Sequence, residues 1–143
     1  MSDLPPSSRD QNVADEDHLK LLAIFHFVIA GFTCLGILFL FGHYMIFHSI
    51  FDNPNMLKGP YQGPSPTAFF AIFNWFYLIF GVWLVSYGIL NVISGFFLLK
   101  RKYGIFSLIV AAINCLFIPF GTALGICTII ILMRPSVKEM YRS

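Results

Sequence analysis

The chain opens on a polar stretch and continues as three long apolar runs. Leu21 to Phe51, Gly59 to Leu99 and Tyr103 to Met133 contain no Asp, Glu, Lys or Arg, and each exceeds the ~20 residues a helix needs to cross a bilayer. The first run predicts a helix over 19–47. It gives way to DNPNMLKGPYQGPSPT, residues 52–67, whose four prolines and two glycines forbid regular structure and predict an outer loop. Residues 68–99 then carry neither proline nor charge and predict one helix ~48 Å long at ~1.5 Å per residue.

The third run is interrupted by Pro119, Phe120 and Gly121. Proline removes a donor and crowds the preceding turn, and glycine accepts the backbone angles of a reversal. We therefore expect helices over 103–118 and 121–133, joined by a hairpin turn at Pro119, Phe120 and Gly121. The alternative is a proline kink within one continuous helix, repaired by its neighbours. Charge position favours the turn. With it, Arg9, Lys20, Lys100, Arg101, Lys102, Arg134, Lys138 and Arg142 share one side and Lys58 alone takes the other. By the positive-inside rule the N- and C-termini are cytoplasmic. The expected fold is all-α, an integral membrane four-helix bundle.

Residues 1–18 hold five acids, two prolines and one arginine and predict a disordered acidic tail. They lack the basic start and cleavage site of a signal peptide, so the first helix is expected to be an uncleaved anchor. Residues 136–143 form a short cytoplasmic tail in which Val137, Met140 and Tyr141 recur at helical spacing, as on an inner membrane surface.

Composition excludes more than it assigns. With 57% hydrophobic and 11% charged residues and a mean hydropathy of +0.76, the chain is far too apolar for a soluble domain of this size. No glycine-rich nucleotide loop, nucleophile elbow or zinc spacing is present, and a net charge of +2 gives no reason to expect nucleic acid. Beyond the first tail the acids are Asp52 and Glu139, both outside the apolar runs, so no base and nucleophile can be paired there. No catalytic residue, metal or cofactor is predicted, and the protein is expected not to be an enzyme.

The helix faces carry what chemistry remains. Asn74, Gly81, Gly88 and Gly95 recur every seven residues, with Asn91 and Ser94 beside them. That spacing keeps one face toward a neighbouring helix, and glycine lets backbones approach. Gly104, Ser107, Ala111 and Asn114 form a similar line, and Gly121, Gly125 and Thr128 another. Ala23, His26, Ala30 and Thr33 share a face of the first helix. An imidazole facing lipid is costly, so His26 is expected to point inward to a partner such as Asn91 or Asn114, as an interior histidine or as a proton- or ligand-handling group. His43 and His48 lie near the outer end with Met45 between them; all four histidines fall between residues 18 and 48, which argues against a bis-histidine haem. Tyr44, Trp75, Tyr77, Trp83 and Tyr87 are read as interface anchors. Cys34, Cys115 and Cys127 fall within membrane segments and predict no disulfide. Lys100, Arg101 and Lys102 form a juxtamembrane cluster that anchors topology and can meet anionic lipid headgroups.

Two segments, DEDHLKLLAIFHFVIAG (15–31) and FIPFGTALGICTIIILMRPSVKEMY (117–141), carry a resemblance. Asp17, His18 and Leu19, then Ile24, Phe25 and His26, then Pro119, Phe120, Gly121 and Thr122, then Arg134 to Lys138 resemble the signature ends of a family of small uncharacterised bacterial four-helix integral membrane proteins. The resemblance implies bacterial origin and an inner-membrane location; it carries no activity.

The expected role is that of a structural or accessory subunit, packing in the lipid bilayer with other integral membrane proteins or with itself as a homo-oligomer. A membrane-shaping hairpin at 103–133 is one alternative. A small transport or redox module is another, using His26 with Asn74, Asn91 and Asn114 around a buried polar pocket.

Overall fold

A computed structural model describes residues 8–51 and 66–141. Among these there are five helices and no strand: α1 (Ser8–Phe51), α2 (Pro66–Lys100), α3 (Gly104–Asn114), α4 (Phe120–Leu132) and α5 (Pro135–Met140). α1 and α2 are long and apolar enough to cross a membrane. α3 and α4, of 11 and 13 residues, reach only ~16 and ~20 Å. The expected loop lies almost wholly outside the described residues, as do residues 1–7 of the tail.

α1 begins at Ser8, eleven residues before the expected start at Leu19, so the described part of the acidic tail is helical rather than disordered. The reason is that its acids have partners. Asp15 accepts hydrogen bonds from Arg134 and Ser136, Glu16 pairs with Arg101 at 2.8 Å, and Asp17 pairs with Lys20 one turn on. Composition alone cannot reveal neutralising groups placed a hundred residues away.

Between α3 and α4 the chain reverses, as the proline and glycine suggested. Thr122 donates to the Cys115 carbonyl at 2.8 Å, and a Cβ added to Gly121 would lie 2.5 Å from the Asn114 carbonyl oxygen. With Gly125 set against Ala111, the pairs 114/121 and 111/125 have nearly constant sums, the mark of antiparallel packing. α2 and α3 meet at a sharper corner. Arg101 and Tyr103 both adopt left-handed backbone angles (φ 51° and 54°), an uncommon choice for residues with side chains. The corner is tied by the Lys102 amide donating to the Phe97 carbonyl at 3.1 Å and by the Tyr103 ring against Phe97, centroids 4.9 Å apart.

The chain divides into two compact units. One, Gly31–Gly88, pairs the second part of α1 with the first part of α2. Within it Leu40 lies beside Gly81 and Thr33 beside Gly88, and Tyr77 gathers the rings of His43, Tyr44 and Phe47. Phe32, Phe39, Ile72 and Trp75 are among its many exposed apolar side chains.

The other unit joins residues 1–30 and 89–143. Its inward faces follow the 3–4 spacing of packed helices: Asp15, Leu19, Leu22, Ala23 and His26 on α1; Asn91, Ser94 and Leu98 on α2; Ser107, Val110, Ala111 and Asn114 on α3; Leu124, Thr128 and Leu132 on α4. Leu19, Leu22, Ala23, Leu98, Leu124, Leu132 and Val137 form its apolar core.

Candidate functional site

The interior of the split unit is unusual for the number of polar groups it encloses. His26, Asn91, Ser94, Ser107, Asn114 and Thr128 are each 0% exposed. Helical phase explains how they meet: His26 continues the α1 stripe of Leu19 and Leu22, Asn91 and Ser94 are one turn apart on α2, and Asn114 lies two turns beyond Ser107 on α3.

Asn91 is the hub of this layer. Its Oδ1 accepts from Asn114 Nδ2 at 2.9 Å and lies 2.9 Å from His26 Nδ1. An oxygen already serving as acceptor to an amide requires a donor on the imidazole, so His26 carries its hydrogen on Nδ1 and presents Nε2 as a lone pair. The hydroxyls divide into two sorts. Thr128 donates to the Leu124 carbonyl four residues back at 2.8 Å, as Ser86 does to Val82 and Ser49 to Met45. Such bonds are the usual fate of a hydroxyl in a helix. Ser94 and Ser107 make none. Their Oγ atoms, together with His26 Nε2 and Asn114 Oδ1, are buried without a protein partner.

A second assembly closes the same unit below the apolar core. Asp15, 4% exposed, receives Arg134 Nη1 at 3.0 Å and the Ser136 hydroxyl. The Ser136 hydrogen bond, reinforced by Arg134 against the effect of burial, holds the Asp15 carboxyl below its ordinary value. Val137 of α5 is fully buried, and the Tyr141 ring lies where a Cβ on Gly104 would meet it at 3.3 Å. Burial pushes the Tyr141 phenol up to about 12, with Arg101 opposing. Sequence reading missed this latch. Its signal was the placement of Asp15 four residues before Leu19 and eleven before His26, on the same stripe.

Of the other expected residues, Asn74 is exposed and does not join His26, Asn91 and Asn114. Seven-residue spacing from Gly81 put it on the seam, but in this part of α2 the contacts with α1 are made by Phe73, against Phe47, and by Tyr77, against His43, and Asn74 beside them is left exposed. Tyr87, expected at an interface, is 7% exposed. Gly81, Gly88, Gly95, Gly104, Gly121 and Gly125 each lie against a neighbour, with Gly95 set on the Phe27 ring and the Ala23 carbonyl. In the basic cluster Arg101 is engaged with Glu16, while Lys100 and Lys102 are exposed. Among the described residues no three His, Cys, Asp or Glu side chains converge as metal ligands. Comparison of the chain with family descriptions, curated proteins and solved structures gives no match.

Proposed function

We propose that this protein is a multi-pass subunit of the bacterial inner membrane, with both termini cytoplasmic, that acts without catalysis by packing against another integral membrane protein or a second copy of itself. One observation carries the reading. The six glycines on α2, α3 and α4 all lie against neighbouring groups, whereas Gly31, Gly36 and Gly42 of α1 have nothing within 4 Å of an added Cβ. Gly31 and Gly42 are eleven residues apart, hence ~20° apart around the helix. Leu35 and Leu38, 61% and 63% exposed, fall on the same face. Where this chain supplies a neighbour its glycines receive it; an α1 face notched in the same way suits a helix from outside the chain.

The test is purification in mild detergent, with identification of bound proteins and measurement of mass. Gly31→Leu with Gly42→Leu is expected to fold normally and lose a stoichiometric partner or the second copy, while Phe39→Leu on the same helix retains it. Retention of every associated protein by the glycine variant rejects the reading.

The lengths of α3 and α4, short of a ~30 Å hydrocarbon core, favour a second role compatible with the first: a hairpin held in one leaflet by its basic flanks.

A further inference from the structure

We propose that the polar layer of the split unit is a hydrated site, in which ordered water bridges His26, Asn114, Ser94 and Ser107. Four polar atoms on three helices, all on fully buried side chains, have no protein partner. Such atoms are rare in folded interiors and are costly unless water or a ligand meets them. Their depths agree. Counted from the α2–α3 corner at ~1.5 Å per residue, Asn91 and Asn114 lie ~14 and ~15 Å in, and Ser94 and Ser107 ~9 and ~5 Å in. Both serines therefore fall on the corner side of the His26–Asn91–Asn114 bonds.

The free valences specify the ligand. His26 Nε2 and Asn114 Oδ1 accept only, and each serine hydroxyl both donates and accepts. The occupant must donate at least two hydrogen bonds and accept others, without charge. No acid lies among the buried groups of the layer to offset a cation. Water meets these requirements. Neither serine takes the carbonyl four residues back, as Ser49, Ser86 and Thr128 do, which leaves both hydroxyls free for the interior.

The experiment is NMR on the full chain in lipid nanodiscs, with imidazole nitrogens and serine side chains labelled. The expected result is His26 with a protonated Nδ1 and an unprotonated, hydrogen-bonded Nε2, and cross-relaxation from the His26 ring and both serine methylene groups to water. Ser94→Ala with Ser107→Ala should remove the water contacts at the serines and leave the His26 tautomer unchanged. Native mass spectrometry of the same sample separates water from a co-purifying small molecule, which would appear as a fixed mass increment. A protonated Nε2, the absence of water contacts in a folded sample, or such an increment overturns the proposal.

Discussion

Gly125→Ala and Gly31→Ala add the same methyl group to two helices and should shift stability in opposite directions. At Gly125 the new Cβ would lie 2.5 Å from Cys115 Sγ and nearer still to the Ala111 carbonyl oxygen, against 3.4–4 Å for an ordinary contact. The sulfur can rotate away, but the carbonyl belongs to the α3 backbone and cannot. α3 and α4 must separate by ~1 Å, loosening well-packed neighbours such as Val110, Ala111 and Leu124, and such overpacking costs ~1–3 kcal/mol. The gain in helix propensity, ~1 kcal/mol, offsets part of this, leaving a net loss of up to ~2 kcal/mol. At Gly31 nothing lies within 4 Å, so the propensity gain of ~0.5–1 kcal/mol stands alone. Thermal unfolding in detergent, followed by circular dichroism, should lower Tm for Gly125→Ala and raise it for Gly31→Ala, by ~2–4 °C per kcal/mol. Equal shifts, or the reverse order, would refute the close approach of α3 and α4.

Other outcomes follow from the same geometry. Asn91→Ala strands two donors, on His26 and Asn114, and should cost ~2–4 kcal/mol, more than Asn114→Ala; chemical unfolding of the two variants compares them. Asp15→Ala should free α5, read as faster tryptic cleavage at Lys138 in the folded protein. Because the Asp15 carboxyl is depressed on folding, its contribution is present above the ordinary carboxylate range and is lost as pH falls through its lower folded value, so the same release should accompany acidification. The raised Tyr141 phenol gives the opposite sign: its contribution is complete below pH ~10 and is lost as pH rises through about 12. The ultraviolet difference between the parent and Tyr141→Phe should show that late ionisation. Phe120→Cys, at the exposed tip of the α3–α4 hairpin, should resist a membrane-impermeant maleimide applied to whole cells; efficient labelling would place the tip outside.

α2 and the α3–α4 reversal were legible because each rests on local chemistry: a charge-free run and Pro119-Phe120-Gly121 act over a few residues. The four expected helices are five among the described residues, with α1 starting at Ser8, α3 ending at Asn114 rather than 118, and α5 lying largely in the expected tail. The inward direction of His26 was also legible, since the small residues around it define a face. The latch was not, because Asp15 owes its burial to Arg134 and Ser136, 119 and 121 residues away. Asn74 failed for a related reason: a seven-residue rhythm states roughly which face a residue is on, and does not tell that its neighbours Phe73 and Tyr77 take the contacts with α1. Ser94 and Ser107 were visible as small polar residues in a seam, but their refusal of the local carbonyl is a property of the folded structure alone.

Asp15 and His26 are joined by eleven residues of uninterrupted helix, almost a whole number of turns, so the latch and the polar layer are geared to one another. Deleting a single residue between them would rotate Asp15 by ~100° relative to His26 and disengage one or the other, although composition and hydropathy would hardly change. Only insertions close to whole turns, such as seven or eleven residues, would bring both back into mesh, and those would displace Asp15 along the axis from Arg134. This stretch of the chain is thus a ruler as well as an anchor, with its length and its phase set together.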